Sequence, residues 1–213
     1  MKKYEAVIFD LDGVICFTDR FHYLAWKALA DELNIEFNEH INDRLRGVSR
    51  MDSLEIVLEN WHGRIFTAEE KAALAEKKNE LYRRYLMTMT PHDLPDEVRD
   101  TLLTLRERGS KLAIGSSSKN TPLILERIGL GSFFDAVSDG NNITRSKPDP
   151  QVFSMAADML HLPPEKCLVV EDAPAGIRAA AAGGFDSAGI GSAAADGTAT
   201  YSLQTFSALE NLF

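Results

Sequence analysis

The chain reads as an α/β protein, a parallel sheet covered on both faces by helices, with an all-helical block inserted directly after the first strand. Three observations predict this. From Pro91 onward, short apolar runs alternate with stretches of helical periodicity. Between residues 18 and 88 only helical patterns occur. The apolar run Ala6-Val7-Ile8, near the start, has the character of the later strands, so the helical block interrupts one domain rather than preceding it. The expected division is an α/β core of residues 1–16 and 90–213, with residues 17–89 as the helical insertion.

The opening strand gives way at Phe9-Asp10-Leu11-Asp12-Gly13 to a turn. Residues two apart in a strand point to one side, so Asp10 and Asp12 should emerge together at its carboxyl end. Packing has no use for such a pair. Two carboxylates held close among apolar neighbours repel unless a cation or a proton lies between them, which suggests a Mg²⁺ site.

In the helical block, residues 20–33 place Phe21, Leu24, Ala25, Ala28, Leu29 and Leu33 at helical spacing, with Asn34 as the stop. Ser49 with Asp52 resembles a capping box and opens a helix through Leu54, Val57 and Leu58 that ends before Gly63. Thr67 with Glu70 repeats the signal for a long helix to about Leu86. In the later part, helices are expected over 96–108, 121–128, 150–160 and 175–182. Strands are expected over 111–114, 136–138, 168–170 and 187–190. Residues 116–120 form a polar loop, and 191–200, rich in Ala, Gly, Ser and Thr, read as a loop.

Composition narrows the function classes. A chain of 213 residues, 45% hydrophobic, can bury one sizeable core or a core with a smaller companion. No stretch reaches the ~18 apolar residues of a membrane span, and Lys2-Lys3 leads into a strand, so a soluble cytoplasmic protein is expected. Lys plus Arg is 23 against 32 for Asp plus Glu, a net charge of −9, which argues against a broad nucleic-acid surface. Phosphate binding would need local groups. Cys16 and Cys167 show no C-x-x-C spacing, and the five histidines form no H-x-x-x-H pattern, so neither a disulfide framework nor a zinc site is expected.

Ligands of an open parallel sheet bind beyond the carboxyl ends of its strands. Asp10 and Asp12, Ser116, Lys147 and Glu171-Asp172 all fall at such ends and should meet in space. Asp10 suits the nucleophile of a phosphoryl transfer, since a carboxylate accepts phosphoryl groups covalently. Asp10, Asp12, Glu171 and Asp172 offer oxygen ligands for Mg²⁺. Ser116 and nearby backbone N–H groups would hold a phosphoryl oxygen, and Lys147 would neutralise charge. Asp12 could serve as general acid and base.

Asp10-Leu11-Asp12-Gly13, Ser116, Lys147-Pro148-Asp149-Pro150 and Glu171-Asp172 with Ala175-Gly176-Ile177 resemble the four motifs of the haloacid dehalogenase superfamily. The resemblance implies a Rossmann-like parallel sheet with an inserted helical cap. His22, Trp26, Gly47-Val48-Ser49-Arg50 and Lys78-Asn79, with Ser118-Lys119-Asn120, are similar to the β-phosphoglucomutase family within it. That likeness implies interconversion of β-D-glucose 1-phosphate and β-D-glucose 6-phosphate through β-D-glucose 1,6-bisphosphate. It also implies substrate contacts at His22, Trp26, Gly47, Val48, Ser49, Arg50 and Lys78 and along Ser116-Ser117-Ser118-Lys119-Asn120, with Thr18 at the hinge. Arg50, Ser118, Lys119 and Asn120 would grip the phosphate not being transferred. Phe17 stands where that family usually carries an acidic residue, and Ala173 where Ser or Thr is common. A monomer acting on a small sugar phosphate, with no nucleic-acid or membrane partner, is expected. A phosphatase of the same superfamily and a catalytically silent binding domain remain the alternatives.

Overall fold

The computed structural model describes residues 3–45 and 48–213. The chain forms two compact units, one of Met1–Phe17 with Met89–Phe213, the other of Thr18–Thr88.

In the unit Thr18–Thr88 the described secondary structure is helical. Helix α1 (Asp19–Glu32) buries Ala25, Trp26, Leu29 and Ala30 along one stripe, and Asn34 just beyond it takes the left-handed conformation (φ 55°) that stops helices. Helix α2 (Glu39–Asp43) has only five residues and was not expected, because one turn shows no periodicity; the Asn38 side chain caps it by accepting from Ile41 N at 3.0 Å. Helix α3 (Arg50–Leu58) starts at Ser49, whose hydroxyl accepts from Asp52 N at 3.2 Å. Helix α4 (Ala68–Leu86) opens with the full Thr67–Glu70 capping box. Trp26, Leu29, Ile35, Phe37, Leu54, Val57 and Ala75 pack together as this unit's core.

The other unit is built on a parallel sheet. Strand β1 (Ala6–Phe9) lies inside it, flanked by β2 (Lys111–Gly115) and β4 (Cys167–Glu171), with β3 (Ala136–Ser138), β5 (Asp186–Gly189) and β6 (Tyr201–Ser202) completing the order β3-β2-β1-β4-β5-β6. All four residues of β1 and all five of β4 are buried, as strands covered on both faces must be. Helices α5 (Asp96–Glu107), α6 (Thr121–Arg127), α7 (Gln151–Leu160) and α8 (Pro174–Ala182) alternate with the strands. Helix α7 turns Val152, Phe153, Ala156, Ala157 and Leu160 into a cluster with Ile8, Ala113 and Val169 of the sheet. The short helix α9 (Ser192–Ala195) occupies part of the segment expected to be a loop, and β6 adds a strand beyond the expected last one, pairing Ala188 with Tyr201. Two residues of strand carry no alternation for a sequence to display.

The strand order places the site. Strands β2 and β3 lie on one side of β1, and β4, β5 and β6 on the other, so the direction of winding switches between β1 and β4. A crevice opens there, beyond the carboxyl ends. The register pairs Phe9 with both Ile114 and Val170, which puts Asp10 beside Glu171 as the two strands end.

Ile8 is fully buried at the centre of this sheet. Ile8→Ala is expected to cost about 2–5 kcal/mol of stability through lost burial and a residual cavity, read as a lower urea midpoint.

Candidate active site

Lys147 sits on an irregular loop between β3 and α7, and its ammonium reaches the crevice from there. Its Nζ donates to Asp10 Oδ1 at 2.5 Å and to Glu171 Oε1 at 2.6 Å, and it lies 4.8 Å above the centre of the Phe153 ring. All three charged side chains are buried. Burial works against the charge on Lys147, but the Asp10 and Glu171 carboxylates outweigh it and hold the ammonium above its ordinary range. One ammonium does not satisfy two buried carboxylates. Glu171 is accordingly pushed up by burial, against the pull of Lys147 and with the Asp10 charge adding to the rise.

The turn after β1 leaves room beside this pair for a third carboxylate, Asp172, which follows β4. Leu11 O accepts from Ile15 N at 2.9 Å and Cys16 N at 3.2 Å, while Gly13 N donates to Cys16 O at 2.8 Å. Gly13 holds φ 84°, and a Cβ built on it would overlap the Asp172 carboxylate. Asp10, Glu171 and Asp172 each offer a carboxylate oxygen, all within 4.8 Å of one another. Three hard oxygen donors suit Mg²⁺, so the residues present fit that ion. Asp12 is not among the three. Strand β1 ends at Phe9, so Asp10 and Asp12 lie on a turn, where the two-residue alternation of a strand no longer applies.

Two glycines keep the constellation in place. A Cβ at Gly176 would overlap the Glu171 carboxylate, and one at Gly115 would stand 2.6 Å from Phe153 Cδ1, displacing the ring beneath Lys147. Glu171 Oε2 also accepts from Ala173 N at 2.8 Å, so the side chain is anchored at both oxygens. Sequence reasoning did not find Phe153, although its place six residues after Lys147 on an apolar helical stripe was visible.

The Ser116 loop follows β2 and hangs from β3 through Ser116 N to Ser138 O at 3.0 Å. Ser116 Oγ accepts from Ser118 N, and Ser118 Oγ from Asn120 N, both at 3.2 Å. The Ser117 hydroxyl is buried without a hydrogen-bond partner in the protein. Such an orphan is the kind of group an oxygen-rich ligand satisfies. Asn120 is buried and Lys119 is exposed.

The helical unit, taken by itself, gathers a second group of the expected residues. Lys78 is buried, its Nζ 2.9 Å from His22 Nδ1 and 4.7 and 4.8 Å above the Trp26 and Tyr82 ring centres. An ammonium can only donate, so the imidazole is neutral and accepts at Nδ1. Tyr82 OH donates to Thr18 Oγ1 at 3.0 Å and its ring lies 4.0 Å from that of His22. Tyr82, four residues after Lys78 on α4, was not anticipated, and that spacing is the signal that could have found it. Trp26 belongs to the unit's apolar core, and the Ser49 hydroxyl is engaged as a helix cap. Arg50 pairs with Glu76 at 3.2 Å, and Val48 is exposed. Gly47 lies outside the described residues.

His22 makes this unit acid-sensitive. Burial first, then the Lys78 and Arg50 charges, hold its pKa well below the ordinary 6.5, so the unfolded chain takes up a proton that the folded one refuses. The contribution is fully present above pH 6.5 and is lost as the pH falls below it. The urea midpoint is expected to decline between about pH 7 and pH 5, and His22→Gln to flatten that decline.

Comparison with known proteins places this geometry. A haloacid dehalogenase-like hydrolase model matches residues 4–184. Over 188 residues the chain is 40% identical to a β-phosphoglucomutase of Bacillus subtilis, covering 88% of this chain and 83% of that one. It is 28% identical to a phosphorylated carbohydrates phosphatase of Thermotoga maritima, over 85% of this chain and 82% of that one. The crystal structure of a β-phosphoglucomutase from Clostridium difficile superposes with a TM-score of 0.89 at 34% identity, covering 97% and 93% of the two chains. No helix among the described residues is long and apolar enough to cross a membrane. The chain belongs to the haloacid dehalogenase-like hydrolase family.

Proposed function

We propose that this enzyme is a Mg²⁺-dependent β-phosphoglucomutase, interconverting β-D-glucose 1-phosphate and β-D-glucose 6-phosphate through an aspartyl phosphate at Asp10 and bound β-D-glucose 1,6-bisphosphate. The observation that carries the phosphoryl-transfer chemistry is the Lys147 ammonium shared between Asp10 and Glu171 at the switch point of the sheet. The mutase assignment is supported by the 40% identical relative.

In this mechanism the Asp10 carboxylate attacks phosphorus. An oxygen–phosphorus bond forms on Asp10 as the bond from phosphorus to the sugar oxygen breaks, and Asp12 gives the departing oxygen its proton. For return transfer, Asp12 takes the proton of the acceptor hydroxyl and the phosphoryl group leaves Asp10 for that oxygen. Lys147 fixes the rotation of Asp10 and offsets the negative charge that builds on the phosphoryl oxygens. Asp10, Glu171 and Asp172 would hold Mg²⁺, which when bound lowers the repulsion between carboxylate and phosphate. The Ser116-Ser117-Ser118 loop donates to phosphate oxygens, and Arg50, with Ser118, Lys119 and Asn120, takes the phosphate that is not moving. His22 and Lys78 answer substrate binding in the helical unit, with Thr18 at the hinge. A mutase must shield its aspartyl phosphate from water, which is the task given to the helical insertion.

A second reading, a sugar-phosphate phosphatase, is favoured by the 28% identical relative of Thermotoga maritima, and it differs only in the acceptor. The deciding assay supplies β-glucose 1-phosphate, Mg²⁺ and a trace of the 1,6-bisphosphate, and measures glucose 6-phosphate beside free phosphate. Glucose 6-phosphate in excess is the expected result; phosphate release without isomerised product would sink the mutase. Asp10→Asn is expected to abolish turnover, with no label transferred from ³²P-substrate to protein. Arg50→Ala is expected to lower mutase turnover about 10- to 100-fold, the worth of a charge-assisted hydrogen bond, and to spare hydrolysis of a small generic phosphate ester. Equal losses in the two assays would remove that role from Arg50.

A further inference from the structure

We infer that Gln151 is a positioning residue for Lys147, tying the loop that carries the ammonium to the first turn of α7. The turnover part of this inference rests on the phosphoryl-transfer chemistry proposed above.

Residues 139–150 contain neither helix nor strand, yet Lys147 must hold its Nζ at 2.5 and 2.6 Å from two carboxylates. A lysine on a free loop would pay heavily in side-chain and backbone entropy for that geometry. Something rigid must restrain the loop. Helix α7 is rigid, since five of its residues are buried against the sheet.

The Gln151 side chain reaches back from that helix along the loop. Its Oε1 accepts from Thr144 N at 3.0 Å, from Thr144 Oγ1 at 3.2 Å and from Arg145 N at 2.8 Å. Two of the three bonds are to backbone N–H groups and fix the chain path itself two residues before Lys147. Asp149 closes the loop from the other side, its Oδ1 accepting from Gln151 N at 2.9 Å and its Oδ2 from Arg145 Nε at 2.6 Å. The Arg145 side chain is mostly exposed, so that ion pair is screened and adds little. The Gln151 amide is therefore the stronger restraint. Helix α7 thus reaches Lys147 twice, with the Phe153 face beneath the ammonium and the Gln151 amide on the loop.

Gln151→Met keeps the side-chain length and removes the acceptor; Gln151→Glu keeps acceptor oxygens. Trace acetylation with acetic anhydride, read by peptide mass spectrometry, reports how firmly Lys147 is held without reference to activity. Lys111, whose Nζ donates to Leu160 O at the far end of α7 at 2.9 Å, is the control within the same unit. In Gln151→Met, Lys147 is expected to label about tenfold faster with Lys111 unchanged, and turnover to fall about tenfold with KM changed less than about twofold. Gln151→Glu should return labelling and turnover close to the parent values. Parental labelling of Lys147 in Gln151→Met overturns the inference, and so does equal acceleration at Lys111, which marks a loosened helix. A protein that hydrolyses its substrate without isomerising it leaves the labelling result readable, so that failure falls on the proposed function alone.

Discussion

A buried ammonium between two buried carboxylates is the constraint on which the rest of the sheet unit depends. Lys147 is tolerable in the interior only while Asp10 and Glu171 stay within hydrogen-bond distance, and they are tolerable only while it does. Each partner is delivered by a different part of the chain. Asp10 ends β1 and Glu171 ends β4, and the register Phe9 to Val170 sets them side by side. Lys147 arrives on a loop, so its backbone has to be restrained from α7. The absence of side chains at Gly115 and Gly176 is part of the same requirement, since a Cβ at either would push against Phe153 or Glu171. An arrangement this costly to assemble is poor evidence of stability and good evidence of function.

The helical unit meets the same difficulty in another way. Lys78 is buried with a neutral imidazole as acceptor and the faces of Trp26 and Tyr82 beneath its charge. There the cost of desolvation is met by ring electrons and a nitrogen lone pair as well as by the further partners of Lys78. In both units of this protein, whose net charge is −9, a buried ammonium is thus held by its own set of partners.

The long elements were legible because their signals are local. The α4 capping box at Thr67 and Glu70, the apolar stripe of α1 and the uniformly apolar β1 and β4 each appear within a dozen residues of sequence. Three of the elements that were missed, α2, α9 and β6, are five, four and two residues long, too short for a period to be counted. In the site, the convergence of Asp10, Glu171 and Asp172 could be expected because each falls at or just beyond the end of an apolar run, and the carboxyl ends of parallel strands lie together; Lys147 was expected at the end of β3 too, but it stands well past Ser138 and reaches the crevice from a loop. The expectation that Asp10 and Asp12 share one face rested on strand alternation, and β1 ends at Phe9, before either residue, so alternation does not fix where Asp12 points.

What the sequence determined by itself is the chemistry available: which carboxylates, which lysine, which serines, and their order along alternating strands and helices. Those follow from residue type and periodicity, which are properties of short stretches. Tertiary structure alone decided which groups touch: that Asp172 rather than Asp12 joins Asp10 and Glu171, that Phe153 lies under Lys147, and that Gln151 holds the loop. Contacts of that kind depend on strand register and on the direction a helix faces. No single stretch of chain specifies either, because both are set by how the whole core packs.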